Sequence, residues 1–251
     1  MEDLRQAGAL VLALDVTSDD ATIGAVFQKA IDTYGKITHC INAPGYVLEA
    51  AAEEASAREV FNQFSTNVLG IMSLTRHALH HMRPRRGGVI ANFGSLASWQ
   101  GVPAASYYCA SKFAVTGFTE TVHAEVSGLG ISAVIVEPGH FRTGFLNAGG
   151  DNRIKAANQL TDEYKSTPVD VVKGQLDGLD NRQPGDVVKG AKVIVDVLTR
   201  TGVAEGKEIP HRLVLGRDAL DAIKGKIQTT EAVIKEWEDV ILSTDHDDVK
   251  K

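Results

Sequence analysis

Apolar and polar positions follow two rhythms along this chain. Short, nearly continuous β-branched runs occupy residues 10–16, 37–43, 88–95, 131–137 and 212–216. Runs of this kind suit strands that are buried on both faces, as a parallel sheet requires. Between them, residues 19–34, 59–82, 106–129 and 184–201 carry apolar side chains at helical spacing. Strands alternating with long helices predict an α/β fold in which helices cross over a parallel sheet. No internal repeat or low-complexity tract interrupts the pattern, so residues 1–251 read as a single domain.

Two regions leave this alternation. Residues 144–182 turn polar and glycine-bearing with weak periodicity, which is read either as a mobile segment over a site or as a long surface insertion. Near the end, Leu220, Ile223, Ile227, Ile234, Trp237 and Ile241 recur at steps of three and four if Thr230 fills the gap. That is an amphipathic stripe on a helix over about 218–241, expected to pack on the body or on a partner subunit. The charged tail 243–251 is expected to fray.

Composition narrows the partners. At 251 residues and 43% hydrophobic, the chain has enough apolar surface for a sizeable core. A formal charge of −6 draws it toward neither nucleic acid nor an anionic membrane, though a local basic patch stays open. Cys40 and Cys109 are the only cysteines; no disulfide framework is expected, and two ordinary buried thiols suit a reducing compartment. No apolar run approaches the ~20 residues of a membrane span, and Met1-Glu-Asp-Leu-Arg5 lacks the form of a signal peptide. The chain is therefore expected to be soluble and cytoplasmic. His77, His80 and His81 have no acidic or thiol neighbours in sequence and are read as a solvated or dimer-facing helix rather than a metal site. Arg83-Pro-Arg-Arg86 is read as the end of that helix, with cations at its negative pole.

Chemistry enters at Tyr108-Cys-Ala-Ser-Lys112. On a helix the phenol and the ammonium stand one turn apart on one face. A cation there is expected to draw the phenol's pKa down from ~10 and equip it as a general acid or base. Ser95 ends the apolar strand Val89-Ile-Ala-Asn-Phe-Gly-Ser95, at the strand end where open α/β sheets bind ligands.

This combination resembles the short-chain dehydrogenase/reductase family. Asp15 in Leu14-Asp-Val-Thr17, Asn42-Ala-Pro-Gly45, Asn67 in Phe64-Ser-Thr-Asn67 and Pro138-Gly-His-Phe-Arg-Thr143 add matches in the family's order. The resemblance implies a Rossmann-like, doubly wound parallel sheet with flanking helices. It also implies a catalytic set of Asn67, Ser95, Tyr108 and Lys112, and NADP or NAD as cofactor, with the choice between them unreadable. Cofactor contacts would come from Asp15, Val16, Asn42, Ala43, Gly45, Tyr108, Lys112, Pro138, Gly139 and Thr143. Asn67 would hold a water through which protons reach Lys112. The substrate would be a carbonyl compound or secondary alcohol, with a substrate loop at about 144–190 and specificity drawn also from Phe141, Phe145 and Leu146. A homodimer or homotetramer through helices 59–82 and 106–129 is expected.

Two features depart from the family. Ala43-Pro44 stands where the family carries Asn-Ala, which removes a bracing amide and one backbone N–H. No Gly-x-x-x-Gly-x-Gly occurs in the first forty residues, so the strand, turn and helix that hold a pyrophosphate are expected to be missing. A truncated gene model or alternative start of a full oxidoreductase would explain this. So would a short form acting as a redox-inactive binding or regulatory subunit, or as a non-redox acid/base enzyme. Without its usual neighbours, segment 10–16 is expected to slide in beside 37–43 as a fifth strand, or else to be held apart by side chains.

Overall fold

The computed structural model describes residues 2–147, 149–160, 162–246 and 248. In chain order it contains α1 (Glu2–Gln6), α2 (Asp20–Tyr34), β1 (His39–Asn42), β2 (Val47–Glu49), α3 (Ala57–Phe64), α4 (Ile71–Met82), β3 (Gly88–Phe93) and α5 (Ser106–Val126). There follow β4 (Ile131–Pro138), β5 (Arg153–Lys155), α6 (Pro168–Leu179), α7 (Val187–Thr199), β6 (Arg212–Leu215) and α8 (Arg217–Leu242). The main sheet is parallel, in the order β1-β3-β4-β6. Its central strands are apolar throughout because both faces are covered. Ile90, Ile131 and Ala133 pack with Ile23 and Phe27 of α2, Leu74 and Ala78 of α4 and Val122 of α5. Ala91, Val134 and Val136 face the other way, onto Leu198 of α7. The fold is the Rossmann-like α/β architecture expected.

Local signals explain the helix ends. Asp19 caps α2 by accepting from the Thr22 N–H at 2.8 Å, and Gly35 closes the helix at φ 78°. Ser56 and Glu59 form a reciprocal capping box on α3. The stretch read as one helix over 59–82 divides into α3, a π-helical turn at Ser65–Gly70, and α4. Pro84 lies in the 3-10 turn Arg83–Arg85 that follows α4. Among the described residues no helix is long and apolar enough to cross a membrane.

Segment 10–16 forms no strand, and the sheet has four strands rather than five. Side chains hold the segment off the ladder. Leu14 and Val16 pack on the cluster under α2 and α4, and a Cβ at Gly70 would come within 2.7 Å of Val16 Cγ2. The Leu10 N–H is satisfied by the Tyr34 hydroxyl at 2.7 Å instead of by a neighbouring strand.

The described residues of region 144–182 are folded. The strand β5 pairs in parallel with β2, and α6 follows it. Ion pairs between distant residues fasten it: Arg153 to Glu49 at 2.5 Å and to Asp177 at 2.7 Å, and Lys173 to Glu54 at 2.9 Å. The main-chain N–H groups of Ala157 and Leu160 donate to Glu59 and Glu54. The C-terminal stripe packs on the body only at its start, where Ala219 and Ile223 are buried. From Gln228 onward every described residue of α8 is exposed.

Candidate active site

The site forms where β3 ends and α5 begins. Ser95 lies two residues beyond β3 and caps the 3-10 turn Leu96–Ser98, its Oγ accepting from the Ala97 N–H at 3.1 Å. Tyr108 and Lys112 share one face of the first turns of α5. Lys112 is 4% exposed; its Nζ lies 5.7 Å from the Tyr108 ring centroid and donates to the Phe93 carbonyl at 2.8 Å. Tyr108 packs in an apolar cluster with Val47, Ala97, Ala105 and Phe145.

Burial governs both titrations. It pushes the Tyr108 phenol up to about 12, against a smaller lowering from the Ser95 hydroxyl beside it. It also pushes the Lys112 ammonium down to about 8. The spacing alone predicted a phenol drawn below its ordinary value, and the structure corrects that. The ammonium donates to the Phe93 carbonyl, and the phenol's own desolvation sets the direction of its shift.

This sets a pH-dependent stability. Between pH 8 and 10.5 the unfolded chain retains a proton that folded Lys112 has released, so this group's contribution to stability rises with pH across that window. Lys112→Met should therefore be more stable than the parent at pH 7.5. Its advantage should shrink by about 2 kcal/mol between pH 8 and 9.5. Denaturant unfolding at the two pH values checks this, and a constant difference contradicts it.

Asn67 sits in the π-helical turn, a distortion that often marks functional positions. Both amide hydrogens are committed: Nδ2 donates to the Tyr46 carbonyl at 2.9 Å and to Ser111 at 3.1 Å, while Oδ1 accepts from the Tyr46 N–H at 3.1 Å. Asn67 thus holds the turn after β1, and it faces Lys112 across Gly45. A Cβ there would stand 3.4 Å from Asn67 Oδ1 and 3.5 Å from Lys112 Nζ. Asn42 is buried and donates to Asn92 Oδ1 at 2.9 Å, while Asn92 donates to Thr119 at 3.0 Å. This Asn42-Asn92-Thr119 chain ties β1 to β3 and α5, supplying a brace beside Ala43 and Pro44. Asn92 was missed from the sequence, although an amide inside an otherwise apolar strand is its signal.

β4 ends at Pro138, and the chain turns at Gly139. The Gly139 N–H donates to the Leu215 carbonyl at 2.7 Å, and a Cβ there would meet Asp218 Oδ1 at 2.0 Å, so only glycine fits. Asp218 accepts from the His140 backbone N–H at 2.7 Å and lies 2.8 Å from its Nδ1. That clamp joins residues 78 apart, beyond the reach of local pattern. Thr143 caps the next turn by accepting from the Phe145 N–H at 3.2 Å. Phe145 stands 6.1 Å from the Tyr108 ring, centroid to centroid, and Leu146 is buried. Phe141 packs instead with Val134 and Leu198 in the core cluster on the far face of the sheet. Asp15 turns its carboxylate onto Thr17, whose N–H and Oγ1 donate at 2.9 and 2.8 Å, and this holds its pKa below the usual range.

The residues present fit the nicotinamide-ribose end of a dinucleotide. The Lys112 ammonium has three donors and one acceptor among the described residues, Phe93. Gly45 keeps the backbone beside Lys112 Nζ free of a side chain.

Comparison with known proteins points the same way. A family model described as short chain dehydrogenase matches residues 1–153. The chain is 31% identical over 179 residues to a 3-ketodihydrosphingosine reductase of Bacteroides thetaiotaomicron, covering 71% of this chain and 66% of that protein. It is 32% identical over 232 residues to the oxidoreductase calM of Penicillium decumbens, covering 87% and 72%. A short-chain dehydrogenase from Streptomyces avermitilis superimposes with a TM-score of 0.84 at 32% identity, covering 98% of this chain and 86% of that one. The same fold, at 21% identity and a TM-score of 0.74, occurs in a Burkholderia phymatum protein solved with NAD, covering 100% and 83%. It occurs again in ElxO solved with NADP, at 23% identity and a TM-score of 0.60, covering 80% and 74%.

Proposed function

This chain belongs to the short-chain dehydrogenase family and is an NAD(P)-dependent oxidoreductase, and from that membership we propose that it interconverts a carbonyl compound and a secondary alcohol. The observation that carries the reading is the Tyr108 phenol, set between the Ser95 hydroxyl and the buried Lys112 amine in an apolar cluster. A nicotinamide dinucleotide held here would supply or accept the hydride. In reduction Tyr108 gives its proton to the substrate oxygen, and in oxidation it takes that proton back. Ser95 donates a hydrogen bond to the same oxygen, which orients it. Lys112 would hold the ribose hydroxyls with the N–H groups that Phe93 leaves unused, and Asn67 fixes the turn around Gly45. Asn42, Ala43 and Gly45 would contact the dinucleotide, Pro138, Gly139 and Thr143 would line its nicotinamide, and Asp15 and Val16 would lie toward the adenine. Phe145 and Leu146 offer an apolar wall to the substrate. Consumption of NADH or NADPH with a panel of ketones and 3-ketoacyl compounds tests this; no turnover with either cofactor counts against it.

Further parts of the reading are a cytoplasmic location and self-association as a homodimer or homotetramer through α4 and α5. Between these helices runs a groove of about 640 Å³ lined by Leu69, Met72 and Phe118. A second reading, a redox-inactive binding subunit or a non-redox acid/base enzyme, is favoured by the missing N–H at Pro44. The lost donor predicts weaker binding of NADH and NADPH than in a relative with Asn-Ala at positions 43 and 44. Calorimetric titration decides it. Micromolar affinity for either cofactor would set the second reading aside.

A further inference from the structure

The body of the protein does not use the outer half of α8. Beyond Ile223, which is buried, the seam runs through Ile227, Thr230, Ile234, Trp237 and Ile241 at alternating steps of four, three, four, three and four. Leu220, Ile227, Ile234 and Ile241 thus recur every seven residues, the repeat by which two helices pack along one seam. Ile234 is 51% exposed and Trp237 52% exposed. An indole and several isoleucines on a projecting helix are costly to leave in water.

We propose that α8 pairs antiparallel with α8 of a second copy of this chain across a two-fold axis, each Trp237 entering a groove on the other copy. Three observations select this occupant. The first is the groove itself: about 470 Å³, open between α5 and the start of the seam, and lined by Phe113, Gly117, Ile227 and Thr230. A Cβ built at Gly117 would meet nothing within 4 Å, which leaves room for a ring. The second is register. Antiparallel packing that sets Thr230 against Ile234 of the second copy also sets Ile227 against Trp237, so the indole arrives where the groove lies. Buried tryptophans of this kind anchor interfaces.

The third is charge. The outer half carries Glu231, Glu236, Glu238 and Asp239 against the single cation Lys235, whereas the inner half carries Arg217, Lys224 and Lys226 against Asp218 and Asp221. Running two helices in opposite directions brings Glu238 of one beside Lys224 of the other; parallel pairing would stack the acidic ends. Glu231 falls near the axis and faces its own counterpart, the one like-charge contact of the arrangement. The same acidic half argues against a lipid surface, since anionic headgroups would repel it. On α5 this interface uses Phe113 and Gly117, whereas the groove between α4 and α5 uses Phe118; the pairing does not depend on the redox reading.

Light scattering or sedimentation of the parent and of Ile234→Glu/Trp237→Lys, at micromolar concentration, tests the proposal, with circular dichroism confirming the fold. The expected result is an assembly mass halved in the variant. Gly117→Leu fills the groove at a helical position that favours leucine over glycine, and should halve the mass as well while keeping or raising the melting temperature. An oxidised Val233→Cys variant should cross-link between copies near the axis, and Leu220→Cys should not. An unchanged mass in both the seam and the groove variants overturns the proposal. Binding of a monomeric parent to phosphatidylcholine vesicles, lost in the seam variant, overturns it in favour of a lipid surface.

Discussion

Replacing Tyr108 by Phe should lower kcat for carbonyl reduction by about 10²–10⁴-fold, the usual contribution of a positioned general acid, while leaving the fold intact. The ring would still fill its place among Val47, Ala97, Ala105 and Phe145, so only the hydroxyl is lost. Ser95 remains and still offers a hydrogen bond to the substrate oxygen, so KM should change far less than kcat. The direction of reaction matters for pH. With the phenol pushed up to about 12 by burial, the protonated form needed for reduction is present across neutral pH, and the phenolate needed for oxidation becomes more available as pH rises. Steady-state rates of parent and variant in both directions check this, and near-parental turnover in Tyr108→Phe would remove Tyr108 from the mechanism.

Arg153→Met should be the most damaging single change away from the chemistry. The Arg153 side chain is 0% exposed and its partner Glu49 is 1% exposed. Without the guanidinium, Glu49 keeps among the described residues only Lys155, at 3.9 Å. Leaving a buried charge without its partner costs about 3–5 kcal/mol, which for a chain of this size lowers the melting temperature by on the order of 10 °C. The same guanidinium donates to the Leu146 carbonyl at 3.3 Å, next to Phe145, so activity should fall with stability. Glu49→Met/Arg153→Met removes both charges and should recover most of the loss in a thermal melt, because two apolar side chains can replace a buried ion pair. A single variant that melts with the parent would show that the pair is not a fastening.

Some of this was legible in the sequence because it rests on short-range pattern. Asp19 and Gly35 mark the ends of α2, and the apolar runs at 88–95 and 131–137 announce strands covered on both faces. The face shared by Tyr108 and Lys112 follows from helical spacing alone. What pattern missed depends on residues far apart in the chain. Segment 10–16 has the composition of a strand, yet a strand needs a neighbour, and the contact of Val16 with Gly70 holds it elsewhere. Region 144–182 looked loose because the carboxylates that order it, Glu49, Glu54 and Glu59, lie about a hundred residues earlier. The phenol's pKa went the other way because spacing gives the position of Lys112 but not the burial of Tyr108 itself.

The central claim is hydride exchange with a carbonyl carbon, and isotopic transfer tests it most directly. The protein, as the 251-residue chain and as any longer form its gene encodes, is incubated with NADH and NADPH deuterated at the reactive carbon and with a panel of ketones. The alcohols are then analysed by mass spectrometry. The account predicts one deuterium on the carbinol carbon with at least one cofactor and ketone, and its loss in Tyr108→Phe. Folded protein that transfers no deuterium from either cofactor to any ketone, in every form tested, would contradict it.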